Sequence, residues 1–348
     1  MRKKLFLAAT MALAMTAFAA PAFADDNADL QNLINNATSG TVTLDKDYTI
    51  TDTIEIDDGI TINGNGKTIT YSGNGSALSV TAQEAVVLND VDVTAASSGA
   101  YAISLTSSQP DLTLTDCVIN ANNRGINMYP SGGCEGGKLV VSDTDINNTQ
   151  ITDYVNQTTV GDTRGIALFD VKNSSIKIEN GSSINGFGYC VNVSGTLVNG
   201  IRDGQDTKIE VTDSAIQGWS AFNVWSCNMT FDLTNSTFKG INRLDSEWNN
   251  FATIVMNNGI YNGNAANANV VNIKGGNIQA YAFGTAGHCD FLETSECMTQ
   301  YNFSTYNNAP VYCYYVSGQS VFAVSYPGGS PIINGANNIV QLPVSVTN

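Results

Sequence analysis

Six residues in the middle of the chain have the types and spacing to hold a sugar: Asn127, Tyr129, Phe169, Asn192, Asn223 and Trp225. They occupy matching places in four short segments, GINMY (125–129), GIALF (165–169), CVNVS (190–194) and AFNVW (221–225). If each segment is a strand, alternation sends Ile126 and Met128 to one face and Asn127 and Tyr129 to the other. The same rule puts Ala167 and Phe169, Asn192 and Ser194, and Asn223 and Trp225 on that outer face. Ser79 and Ser104, from ALSV (77–80) and AISL (102–105), extend the row. A side-chain amide offers a donor and an acceptor together, which matches neighbouring sugar hydroxyls. Flat aromatic faces can stack on sugar rings. Rows of Asn also form between stacked strands with no ligand at all.

Arg124 and Arg164 stand just before GINM and GIAL, at the same place in each, with Asp162 and Asp170 as the nearby carboxylates. Taken alone, such an Arg pair also fits a salt-bridged edge. A second series, Asp90, Asp116, Asp143, Asn180, Asp213 and Asn235, follows a set of apolar triplets. Asp and Asn suit sharp turns because their side chains bond their own backbone. Three of them, Asp90, Asp116 and Asp143, would stack closely enough for a Ca²⁺ site of hard oxygen ligands, which stays open beside the turn reading. No other cofactor is expected. His288 is the only histidine, beyond the last clear repeat. There is no nucleophile elbow, phosphate loop or HExxH, and no evident carboxylate pair facing one glycosidic bond.

The elements that would position these residues repeat. An apolar-x-apolar triplet reads VVL (86–88), LTL (112–114), LVV (139–141), IKI (176–178), IEV (209–211), FDL (231–233) and VNI (271–273). Its last residue falls at Ile62, Leu88, Leu114, Val141, Ile178, Val211, Leu233 and Ile273. Self-similarity at about 20–50 residues marks a solenoid or a propeller. The lack of four regular strands per unit favours a solenoid: an all-β parallel β-helix of about eight to ten coils, with rungs about 4.8 Å apart. Leu30, Leu33 and Ile34 predict an amphipathic helix over 26–38, started by Asp26 or Asn27 and stopped by Gly40. It would cover the open first end of the solenoid.

The order of helix, TVTL, YTI and ITINGNGKTI (60–69) resembles the N-terminal cap and first coils of the pectin-lyase-like family of right-handed β-helices. The resemblance spans roughly 26–280. It implies the fold more than an activity, because that fold carries lyases, hydrolases, tailspikes and adhesins. It also implies that the GINM-type strand lines a cleft. In the family's lyases an Arg base works there with acidic Ca²⁺ ligands on uronate chains, which would cast Arg124 or Arg164 as base and Asp162 and Asp170 as helpers. The three-aspartate cluster of those lyases, and the NTD, DD, G-H-G and RIK blocks of the hydrolases, are missing. The function expected is therefore binding of a polysaccharide or cell-surface glycan along the long face, without catalysis. A Ca²⁺-assisted lyase and a purely structural surface protein are the alternatives.

Residues 1–24 read as a secretory signal: Arg2, Lys3 and Lys4, an apolar run, then Ala22-Phe23-Ala24 before Asp25. The chain is expected outside the cell or on its surface, with a periplasmic location also open. Residues 25–59 are expected as cap and first strands, 60–280 as coils and 281–348 as an irregular C-terminal cap. Without the signal, 15 − 3 = 12 basic residues face 31 acidic ones, a net charge of −19. That disfavours nucleic acid, whose phosphates need a basic footprint. No later stretch is apolar enough to span a membrane. Seven cysteines allow disulfides after export, with Cys289 and Cys297 the best pair and Cys117 expected in the core.

Overall fold

A computed structural model of the chain describes residues 23–37, 39–149, 163–199, 201–241, 252–256, 268–281, 289–293, 299–316, 320–324 and 331–344. Its strand ladders are parallel and form three faces of a solenoid. Two faces merge into one twenty-stranded sheet, because the long strands Ile60–Tyr71 and Ala85–Ala95 run through both. The third face is a ten-stranded ladder from Ile54–Ile56 to Phe322–Val324. A propeller is excluded.

The register follows the triplets. Ile62 lies beside Leu88, Leu88 beside Leu114, and the series continues unbroken through Val141, Ile178, Val211, Leu233 and Ile273. All eight side chains are buried. Burying each contributes roughly 1.5–3 kcal/mol, and a one-residue slip would turn the whole column out to solvent. Sequence periodicity here is a stacking instruction.

The corner after each triplet shows why Asp and Asn recur. Asp90, Asp116, Asp143, Asn180, Asp213 and Asn235 all have φ between 46° and 59°. This left-handed conformation suits short polar side chains, and Gly275 ends the column at φ 62°. Just inside, Cys117, Thr144, Ser182, Ser214 and Ser236 are buried. The Cys117 and Thr144 amides donate to the next hydroxyl at 3.2 Å each, and the Ser214 amide to Ser236 at 3.1 Å. Cys117 thus fills a core place in that column. Among the described residues no three acidic, Cys or His side chains are grouped to hold a metal ion.

The first end is closed by a helix, Phe23–Asn35. It starts three residues before the expected 26, and Asp26 and Asn27 do not serve it as caps. They bond the exposed strand edge instead. Asp26 accepts from the Thr49 amide at 2.9 Å, and Asn27 from the Thr51 and Asp52 amides at 3.0 and 3.2 Å. Gln31 both donates to the Glu55 carbonyl and accepts from its amide, each at 2.9 Å. The helix therefore continues the ladder with side chains where no further strand exists.

The stacking also continues through the segment expected as an irregular cap. Gln300–Ser304, Val311–Val316, Ile332–Asn334 and Ile339–Val344 add rungs in register. Aromatic packing replaces the aliphatic column there, with Phe291 stacked on Phe322 at 4.7 Å and edge-on to Tyr301 at 5.0 Å. Cys117, Cys134, Cys190 and Cys313 are buried thiols and form no disulfide. The proposed Cys289–Cys297 pair involves a residue outside the described ones. No described helix is long and apolar enough to cross a membrane.

Candidate binding trench

The outer face of the ten-stranded ladder carries three side-chain columns. The middle column is Ser79, Ser104, Asn127, Ala167, Asn192 and Asn223, each beside the next. One flank is Tyr101, Arg124, Arg164 and Tyr189. The other is Tyr129, Phe169, Ser194 and Trp225, two residues beyond the middle column on each strand. Alternation alone predicted which residues point outward, and the register brings them together. The middle column is not a freely solvated face, however. Asn127, Asn192 and Asn223 are each only 6% exposed, while Tyr129 and Trp225 are 49% and 37% exposed. The amides form the floor of a trench and the flanks form its walls.

Each wall is fixed by local contacts. The Arg124 guanidinium lies over the Tyr101 ring at 4.8 Å and donates to Asn127 Oδ1 at 2.6 Å. Tyr129 and Phe169 meet edge to face at 4.3 Å. Arg202, from the long corner after Ser194, lies over Trp225 at 5.5 Å and donates to the Gly195 carbonyl at 3.0 Å. Gly125 and Gly165 let these strands approach the neighbouring face. A Cβ on Gly125 would sit 2.5 Å from Ile146 Cγ2 and 2.6 Å from the Gly165 oxygen. The glycine in each RGI motif is a packing requirement, and it sets where the adjacent arginine emerges.

Ala167 interrupts the amide floor between Asn127 and Asn192. Above it opens a hollow of about 210 Å³, walled by Arg124, Arg164, Tyr129 and Phe169. A second hollow of about 200 Å³ adjoins it, walled by Arg164, Tyr189, Arg202 and Trp225, with Asn192 and Asn223 on its floor. Asn223 Nδ2 donates to Asn192 Oδ1 at 2.8 Å. The amides of Asn127 and Asn192 thus use their oxygens within the protein, whereas the Asn223 amide uses its NH₂. Among the described residues no carboxylate lines either hollow.

The proposed catalytic set is split. Arg124 and Arg164 are neighbours in the trench. Asp170 is not with them. It adopts φ 50° at the corner after Phe169, where its carboxylate accepts from the Thr196 hydroxyl at 2.6 Å and from the Thr196 amide. It lines a different cavity, described below. Asp162 lies outside the described residues. The buried thiols are poor nucleophiles: burial pushes Cys117 up to about 11 and Cys190 up to about 12. Arg202 lies on a loop, where alternation along a strand does not find it. Its partner Trp225 was the one signal that could have placed it on the trench wall.

No family model, no curated protein and no solved structure matches the chain.

Proposed function

We propose that this is a secreted or cell-surface β-helix protein that binds polysaccharide along the trench without cleaving it. The observation that carries this reading is the interrupted amide floor between an Arg/Tyr wall and an aromatic wall. Such a site offers ring-sized hollows, directed hydrogen bonds and stacking surfaces together, which is how concave sugar or small-molecule sites gain orientation. Arg124, Arg164 and Arg202 line the hollows and bring positive charge to them, which favours a glycan bearing acidic groups despite the acidic chain. A lyase would need acids beside the arginines to hold a cation, and Asp170 is engaged elsewhere.

The test is affinity electrophoresis and calorimetry against a panel of plant, algal and bacterial polysaccharides. Wild-type protein is expected to bind at least one member. Tyr129→Ala/Trp225→Ala removes one wall and is expected to weaken binding at least tenfold, or about 1.4 kcal/mol. Ala167→Leu fills the first hollow from an outward position and should do the same at unchanged melting temperature. Full binding by both variants refutes the trench. Appearance of unsaturated products from a uronate polymer with Ca²⁺ refutes the non-catalytic reading.

A further inference from the structure

A cavity of about 670 Å³ adjoins the trench behind the loop that begins at Ser194. Its size falls within the roughly 300–1,000 Å³ of small-molecule sites. Its floor is a separate small ladder, Cys134–Glu135 paired with Val171–Lys172, tied in by Cys134 N to Asp170 O and Gly136 N to Lys172 O, both 2.9 Å. One wall is the turn at Val198, whose amide donates to the Ile201 carbonyl at 2.8 Å. Asp170 pins the same loop through Thr196. On the trench side, Arg202 holds the loop at Gly195 and covers Trp225. One loop is therefore the partition between the two cavities, anchored on both sides.

We propose that this bay is a second sugar subsite that receives an uncharged side branch of the polysaccharide held in the trench. This rests on the trench reading. The branch must leave the main chain near Trp225 and pass over the partition. Gln109, Glu135, Lys172 and Asp203 line the bay and present both donors and acceptors to hydroxyls. Val198, 60% exposed, offers an aliphatic surface to the C–H face of a ring. Glu135, Asp170 and Asp203 outnumber Lys172 and repel an anionic branch, in contrast to the arginine-lined trench.

The experiment compares intact and enzymatically debranched forms of the same polymers: arabinoxylan, galactomannan and rhamnogalacturonan I. Wild-type protein should bind an intact form about tenfold more tightly than its debranched backbone. Gln109→Trp narrows the bay from one side and Val198→Asp removes its apolar wall. Each should abolish that tenfold preference while leaving affinity for the debranched backbone unchanged. Equal affinity of wild-type protein for intact and debranched forms overturns the branch subsite and leaves the trench standing. A preference that survives both variants also overturns it. Absence of binding to every polymer in either form overturns the trench and the bay together.

Discussion

Asp290 is a described acid whose position opposes the fold, and its removal should stabilise the protein. It belongs to a column of small residues at the start of the third-face strands: Ala77, Ala102, Gly125, Gly165, Cys190, Ala221 and Thr253 precede it, rung by rung. Asp290 is fully buried, and neither carboxylate oxygen has a hydrogen-bond partner among the described residues. Burial therefore raises its pKa well above the usual 3.8; the Ala280 amide offsets this only in part and does not reach hydrogen-bond geometry. The sign follows from linkage. Between 3.8 and the raised value the folded state holds a proton that the unfolded state has released. Stability from this group is complete below 3.8 and falls as pH rises through that window, by about 1.4 kcal/mol per unit for one proton. Asp290→Ala matches Ala77, Ala102 and Ala221 in the same column and removes both the buried polar group, worth about 1–3 kcal/mol when unsatisfied, and the titration. Urea unfolding of both proteins from pH 4 to 8 gives the difference directly, because the other carboxylates cancel. The variant should be more stable throughout, with an advantage that grows with pH. A constant or shrinking advantage, or a less stable variant, refutes the reasoning.

Two further substitutions test the elements that build the solenoid. Gln31→Ala removes the two bonds that close the Glu55 edge and should cost about 1 kcal/mol in urea unfolding; no change would show that water serves that edge equally well. Asp26, held below 3.8 first by the Lys46 ammonium and then by the Thr49 amide, adds stability that is lost as pH falls through its lowered value, opposite in sign to Asp290. Gly125→Ala drives a Cβ into Ile146 and the Gly165 carbonyl and should cost about 1–3 kcal/mol in thermal or urea unfolding. Gly99→Ala, with nothing within 4 Å, is the control, and equal costs would remove the packing reason for the RGI glycine.

The coils were legible because a solenoid turns distance in sequence into adjacency in space at a nearly fixed step. Each triplet needed only its own letters to be placed, and all eight stack as read. The Asp/Asn corners were legible for the same reason, since one backbone conformation recurs at one place per coil. The last coils were not. There Tyr301, Phe303 and Phe291 fill the core in place of Val, Ile and Leu, so the ladder persists while its lettering changes. The cap helix was legible as a helix, but its polar face was not. Asp26, Asn27 and Gln31 look like ordinary solvent-facing residues until an unpaired strand edge stands beside them. In the trench, alternation found the outward residues. It could not show that they are sunken, because depth depends on the long side chains of neighbouring columns. Asp170 escaped for a similar reason: one residue past Phe169 the chain turns left-handed and carries the carboxylate out of the trench.

Amide ladders recur among the described residues with different consequences. On a face of the twenty-stranded sheet, Asp232, Asn272, Asn302 and Asn334 bond each to the next at 2.7, 2.8 and 2.8 Å. Every link in that chain is occupied by its neighbour, so it strengthens the stack and offers little to a ligand. On the third face the series Asn127, Ala167, Asn192, Asn223 is broken at Ala167, and the break is where the first hollow opens. An Asn at that position would link Asn127 to Asn192 and close the floor into a structural ladder. The methyl group of Ala167 instead leaves the Asn192 NH₂ without an acceptor in the rung before it, while Asn127 Oδ1 accepts from Arg124 rather than from that rung. On the proposed binding reading, what separates the trench from scaffold is the place where an otherwise repeating residue is missing.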